Sequence, residues 1–165
     1  MKKIFIMLFL GAGASAAAQT PFADCFFDKT MRFDYYHAGD SRSEEYFFDA
    51  LKEEPYWAGS KVSLVDTTGY GNQFFRIVDR ASGREIYSRG FCTLFNEWQS
   101  TPEADSVRRS YPESVVFPYP KRPCRIEIFT RNGKGRFEKR FSQNIDPDSY
   151  FIERFTPRCE TFEVM

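Results

Sequence analysis

Histidine is the side chain best suited to acid–base or metal chemistry near neutral pH, and this 165-residue chain contains one, His37. A zinc-peptidase motif of the form H-E-x-x-H needs two histidines one helical turn apart, so the sequence excludes it. A Ser-His-Asp triad would have to use His37, and no G-x-S-x-G segment accompanies it. We therefore predict a structural role for His37. The alternative is a base or metal ligand contributed to a neighbouring domain.

The acidic residues also lack a catalytic arrangement. Neighbours such as Glu44 and Glu45 point to opposite faces of a strand, which is not the opposed geometry of a glycosidase. Asp146 and Asp148 flank a proline and have the hard oxygen ligands that calcium prefers, but an ordinary turn is the commoner use of that pattern. We predict no catalytic, cofactor-binding or metal-binding residue, and no enzymatic activity of the chain itself.

The N-terminus has the three regions of a cleavable signal peptide. Lys2 and Lys3 are basic, residues 4–10 are apolar, and small residues lead to Ala18. We predict cleavage after Ala18 and export to the periplasm or the exterior. Residues 19–165 then form a single domain, a length sufficient for a core of its own.

Two other interpretations of the N-terminus remain. A membrane anchor would need a longer apolar stretch than residues 4–10 provide, and no second hydrophobic segment follows. A lipoprotein would need a cysteine just after the small residues, and Cys25 is preceded by Phe22, Ala23 and Asp24, which fits a lipid-attachment site poorly.

Four cysteines remain in the exported chain. An even number in an oxidising compartment allows two disulfides in three connectivities. Domain termini often lie close together, so Cys25 with Cys159 is the first pairing that we predict; free, buried thiols are the alternative. No C-x-x-C spacing indicates a zinc or redox site. The candidate disulfide residues are Cys25, Cys92, Cys124 and Cys159.

Charge and composition exclude some partners. Removal of residues 1–18 takes away two lysines and no acid, so 21 basic and 23 acidic residues remain, with a net charge of −2. The charges are interspersed, and we expect neither a nucleic acid nor a membrane partner for the mature chain. Aromatic residues make up 18% of the sequence, which favours sheet structure. Such rings could stack on sugars, although core packing is their commoner use.

Short segments with period-two alternation or turn residues at their ends predict an all-β fold. In residues 29–37, Met31, Phe33 and Tyr35 point to one face, as in a strand with one buried side. Gly83 and the Asn132-Gly133 pair predict hairpins. Residues 44–54 fit either a helix or a strand. Further strands are predicted at 73–79, 84–91, 91–98, 113–117, 124–131, 136–145 and about 150–155.

One short helix is predicted from Thr101, with Pro102 in its first turn, to about Arg109. Seven to nine strands at this spacing indicate an antiparallel β-sandwich or barrel. Strands do not alternate with long helices, so a parallel α/β fold is disfavoured.

Several stretches in order resemble a known family. The stretches are KTMRFDYYHAGD (29–40), YWAGSKVSLVD (56–66), FFRIVDRASGREIYSRGFCTLFNEWQST (74–101), ESVVFPYPKRP (113–123) and FSQNIDPDSYFI (141–152). Together, over about residues 22–156, they are similar to the N-terminal domain that precedes the catalytic domain in bacterial IgA-peptidase-like zinc metallopeptidases, metallopeptidase family 64.

The resemblance implies an immunoglobulin-like β-sandwich and an exported protein. In that family a peptidase domain with H-E-x-x-H follows the sandwich; this sequence has no counterpart to it, so no catalytic residue carries over. We expect a non-catalytic accessory domain, isolated or truncated, whose partner is a peptidase domain or another protein. Gly90, Phe91 and Trp98 are candidates for that contact, or else core residues. The alternative is a stand-alone binding module for protein or glycan.

Overall fold

The computed structural model describes residues 21–156, which form two four-stranded β-sheets packed face to face. The first sheet has the strand order β5-β1-β2-β8 and the second the order β4-β3-β6-β7. All neighbours are antiparallel except β2 and β8. The strands are β1 (Phe26–Gly39), β2 (Glu44–Glu54), β3 (Gln73–Asp79), β4 (Glu85–Phe91), β5 (Arg109–Pro120), β6 (Cys124–Arg131), β7 (Phe137–Ile145) and β8 (Ile152–Glu153).

The core lies between the sheets and confirms the predicted alternation along β1. Met31, Phe33 and Tyr35 are at most 1% exposed and face Ile77 and Ile126 of the second sheet. Burial of each such side chain stabilises the fold by about 1.5–3 kcal/mol. The all-β sandwich is therefore confirmed, and residues 44–54, ambiguous in sequence, are the strand β2.

The prediction of a strand over 91–98 was wrong. After β4 ends at Phe91, the short helix α2 (Leu94–Gln99) follows. The Thr93 hydroxyl caps it by accepting the N–H of Asn96 at 3.2 Å. Phe95 and Trp98, three residues apart, bury one face of this helix. A four-residue helix, α1 (Phe22–Cys25), precedes β1.

The helix predicted from Thr101 to Arg109 is confined to one 3₁₀ turn, Pro102–Asp105. The strand predicted at 113–117 is also longer than expected, since β5 runs through Pro112, Pro118 and Pro120. β5 is an edge strand that pairs with β1 alone, so one of its sides donates no ladder hydrogen bonds and tolerates proline.

The hairpin turns follow the sequence signals with one change. Gly83 has φ +70°, as the tight reversal between β3 and β4 requires. Between β6 and β7 the left-handed residue is Gly135 and not Gly133, because the side chain of Asn132 accepts the N–H groups of Lys134 and Arg136 and widens the loop. Among the described residues, no helix is of a length and apolarity that would cross a bilayer.

Candidate functional site

His37 lies on the inner face of β1, near one end of the sandwich. Its side chain is fully buried. The imidazole is stacked between two aromatic rings, with centroid distances of 4.2 Å to Tyr46 and 3.9 Å to Phe95. Both faces of the ring are therefore covered.

Each ring nitrogen of His37 lies within hydrogen-bond distance of a carboxylate. Nε2 of His37 lies 3.2 Å from Oε2 of Glu44, and Nδ1 lies 3.2 Å from Oε2 of Glu113. The glutamate side chains are only 10% and 9% exposed. Burial alone would lower the pKa of His37, but the hydrogen bonds and charges of Glu113 and Glu44 outweigh it and raise the pKa. The site is thus a buried imidazole between two carboxylates, an arrangement that favours the charged form of the ring, and we call it the His37 cluster.

The sandwich brings these groups together from three strands and a helix. Glu44 begins β2, directly across the hairpin from Gly39. Glu113 lies on β5 opposite Tyr35 of β1. Phe95 comes from α2, and its backbone N–H donates to Oε1 of Glu113 at 3.3 Å. The same carboxylate therefore holds both His37 and the start of the helix.

A second layer of polar groups surrounds the cluster. Tyr46 donates its hydroxyl to Oε1 of Gln73 at 2.9 Å, and Oγ1 of Thr130 lies 3.1 Å from the same hydroxyl. Gln73 is fully buried and donates through Nε2 to Oδ1 of Asn96 at 2.9 Å. Burial raises the pKa of the Tyr46 hydroxyl well above its ordinary range, so it stays a neutral donor.

Glu44 also forms part of a surface cleft. Its Oε1 forms an ion pair with Nε of Arg140 at a distance of 3.0 Å. Burial would raise the pKa of Glu44, yet the hydrogen bonds of His37 and Thr130 and the charges of His37 and Arg140 outweigh it and lower the pKa. The cleft, which we call the polar cleft, has a volume of about 530 Å³. Its lining residues are Ser41, Arg42, Ser43, Glu44, Asn96, Gln99, Ser100, Thr130 and Arg140.

The His37 cluster is arranged to stabilise the fold, and the polar cleft beside it could bind a ligand. A general base needs a ring nitrogen that reaches a substrate, and both nitrogens of His37 are engaged inside the core. The two glutamates lie on opposite nitrogens of the ring, so they do not converge on one point. Within residues 21–156 no group of three or more His, Cys, Asp or Glu side chains could hold a metal ion.

The other residues singled out in the sequence lie elsewhere. Asp146 accepts the N–H of Asp148 at 3.1 Å, as in an ordinary turn. Trp98 is 8% exposed and packs against Phe95, which makes it a core residue. A Cβ on Gly90 would lie 1.9 Å from the carbonyl oxygen of Tyr70, so Gly90 permits the close approach of a loop.

The structure describes three of the four cysteines: Cys25 ends α1, Cys92 lies between β4 and α2, and Cys124 begins β6. Cys25 and Cys124 are buried and Cys92 is exposed, and no two of these three are bonded to each other. Cys159 lies outside the described residues, so the predicted pair of Cys25 with Cys159 stays a prediction.

Sequence reasoning missed both partners of His37. Glu44 and Glu113 are seven and 76 residues away, and their spacing follows no motif. A signal was present for Glu44 alone: a hairpin that reverses at residues 40–43 places it near the end of β1.

The fold and site define a β-sandwich domain with a buried charged cluster beside a polar cleft. A family model described as "Peptidase M64 N-terminus" matches residues 21–142, a range from α1 into β7. The chain belongs to this family of M64 peptidase N-terminal domains. A comparison with curated proteins gave no match.

Proposed function

We propose that this chain is a non-catalytic accessory domain of an exported, IgA-peptidase-like metallopeptidase, immunoglobulin-like in its sandwich. The observation that carries the proposal is the state of its only histidine. His37 is fully buried, both its nitrogens bind carboxylates and both its faces are stacked. A residue held in this way supports a rigid domain and does not reach a peptide bond.

A surface between β2 and the chain that follows β7 supports the accessory role. Phe48, Tyr150 and Phe151 are 42%, 94% and 89% exposed and form what we call the aromatic surface. Phe48 and Phe151 line a groove of about 480 Å³, and the rings of Tyr150 and Phe151 are 5.8 Å apart. Large aromatics exposed together mark an interaction site, and aromatics are enriched at protein interfaces.

The occupant that we propose for the aromatic surface is the catalytic domain of an M64 metallopeptidase. β8 pairs with β2 at Leu51 and ends three residues before Thr156, the last residue described. An N-terminal domain is followed in its family by the rest of the peptidase, and Leu51, the partner of β8, lines the same groove as Phe48 and Phe151. A catalytic domain that follows β8 in the chain is therefore connected on the side of the sandwich that carries the aromatic surface.

Two measurements test the proposal. The purified full chain, supplied with zinc, should not cleave casein or immunoglobulin A at concentrations at which an M64 peptidase does; zinc-dependent cleavage would overturn the non-catalytic assignment.

The second measurement is calorimetric titration of the chain with a separately produced M64 catalytic domain. Phe151→Ser should weaken association about tenfold, as expected for an interface aromatic. Tyr56→Ser removes an equally exposed ring, 80% exposed, away from the groove and serves as the control. Equal loss in both variants, or no association of the unmodified chain, would contradict the docking role.

A second candidate is a stand-alone binding module for protein or glycan. The polar cleft favours it, because a concave site lined by hydrogen-bonding groups is what a small polar ligand requires.

A further inference from the structure

The polar cleft has no part in the accessory role proposed above. The β1–β2 turn at residues 41–43 forms one wall and the end of α2 another, while Thr130 and Arg140 reach it from the second sheet. It lies at the end of the sandwich opposite the β3–β4 hairpin and is separate from the aromatic surface.

The inner wall of the cleft is rigid before any ligand arrives. Glu44 is fixed by His37 at 3.2 Å on one oxygen and by Arg140 at 3.0 Å on the other. Side chains already held in place lose little conformational entropy on binding, which favours affinity. The His37 cluster therefore acts as the support of the cleft.

Several hydrogen-bond donors of the lining have spare capacity. The Oδ1 atom of Asn96 accepts hydrogen bonds from Nε2 of Gln73 at 2.9 Å and from the Thr93 hydroxyl at 3.0 Å. These bonds fix the orientation of the amide and leave its Nδ2 group free to donate into the cleft. Arg140 uses Nε on Glu44 and Nη2 on Glu138, leaving Nη1. The exposed Arg42 guanidinium has no ion-pair partner among residues 21–156.

The residues that line the cleft carry a net positive charge, which favours an anion. Two guanidinium groups line the cleft against the single carboxylate of Glu44, both of whose oxygens are already bound. Arg140 lies on the edge strand β7. The segment GKGRFEKR (133–140), which covers the preceding turn and the start of this strand, has four basic residues and one acid. Arginine binds carboxylates in particular, through its planar fork of donors.

The lining also discriminates between kinds of acidic ligand. A saccharide is normally held by an aromatic ring against its face, and none of the nine lining residues is aromatic. A peptide needs instead a row of donors and acceptors, and Gln99 supplies an acceptor because only its Nε2 is used, on the carbonyls of Asp40 and Ser43.

We propose that the polar cleft binds a carboxylate-rich peptide segment. Arg42 and Nη1 of Arg140 bind its carboxylates, and Nδ2 of Asn96 donates to its backbone.

Calorimetric titration of the full chain at low ionic strength tests this. The probes are a short peptide of alternating Asp and Ser, the matching Asn and Ser peptide, and a glucuronic acid oligosaccharide. The acidic peptide should bind about tenfold more tightly than the neutral one, as charge-assisted hydrogen bonds require.

Arg42→Gln should weaken that binding about tenfold without changing the melting temperature, since it removes one charged donor set from an exposed side chain. Arg80→Gln is the matched control, because Arg80 is also exposed and follows the end of β3 that lies away from the cleft, roughly 20 Å from its start. The proposal is overturned by equal binding of the two peptides, by equal losses in the two variants, or by tighter binding of the saccharide.

Discussion

The two ends of the sandwich interior are filled with different chemistry. At one end the side chains of Phe26, Cys124 and Ile145 pack with at most 1% exposure, and the nearby carboxylate of Asp79 is bonded within the β3–β4 turn by Ser82. At the other end His37 and its two glutamates lie between the same two sheets. Apolar packing changes in small steps when atoms are removed. A buried ion cluster depends on every partner, because a lone charge in the core costs several kcal/mol. The polar end should therefore be the more sensitive of the two.

Removal of the central cation gives the largest expected effect. His37→Leu leaves the carboxylates of Glu44 and Glu113 buried without their partner, and we expect the free energy of unfolding to fall by about 3–5 kcal/mol. Urea titration measures it. The matched change at the apolar end, Ile145→Val, should cost about 0.5–1.5 kcal/mol. Similar losses of unfolding free energy in the two variants would show that the polar end is no more sensitive than the apolar end.

Protonation changes the same cluster without mutation. The raised pKa of His37 means that its stabilisation is complete below 6.5 and is lost as pH rises through the raised value. The lowered pKa of Glu44 means that its stabilisation is present above 4.5 and is lost as pH falls through the lowered value. We expect greatest stability between these two limits.

Melting temperatures over a pH series measure this effect. The groups facing His37 are Glu44, Glu113, Tyr46 and Phe95, with Arg140 beyond Glu44. Since the chain has one histidine, His37→Gln should flatten the profile on its alkaline side. An unchanged profile would mean that the cluster is not an ion pair in solution.

The cap of α2 gives a smaller effect. Thr93→Ala removes the acceptor of the Asn96 N–H and should destabilise the fold by about 1 kcal/mol. Because Asn96 also lines the polar cleft, binding there should weaken as well. Thr67→Ala, at an exposed loop position, is the control and should leave the unfolding midpoint unchanged. An unchanged unfolding midpoint in Thr93→Ala would show that packing alone stabilises α2.

The smallest effect concerns thiol reactivity at the apolar end. Burial raises the pKa of Cys25, and that of Cys124 to about 12, so neither thiol should react in the folded protein. Cys92 is exposed. In a reduced Cys159→Ser variant, a thiol reagent should label Cys92 alone under native conditions and all three cysteines in denaturant. Native labelling of Cys124 would show that the apolar end opens.

The sequence predicted the parts of the fold that depend on local pattern. Alternation in residues 29–37 indicated which side chains are buried, and Gly83 indicated a hairpin. The helix α2 was missed because its segment FCTLFNEW is rich in aromatic residues, which favour strands. The Thr93 cap and the joint burial of Phe95 and Trp98 on one helical face favour a helix instead.

The site was less accessible to prediction for a physical reason. The structural role of His37 could be predicted, because catalytic motifs are local in sequence and none includes this residue. Its partner Glu113 reaches it through strand pairing between β1 and β5, which follows from the whole topology. No spacing rule links residues on strands so far apart.

The prolines of β5 have a consequence for how the protein behaves in crowded surroundings. Pro112, Pro118 and Pro120 all occupy even positions, so they share one side of the strand, and pairing with β1 leaves that side outward. An outer edge that lacks three N–H groups is a poor template for a strand from another molecule. This edge should therefore resist polymerisation of the first sheet when copies meet at high concentration.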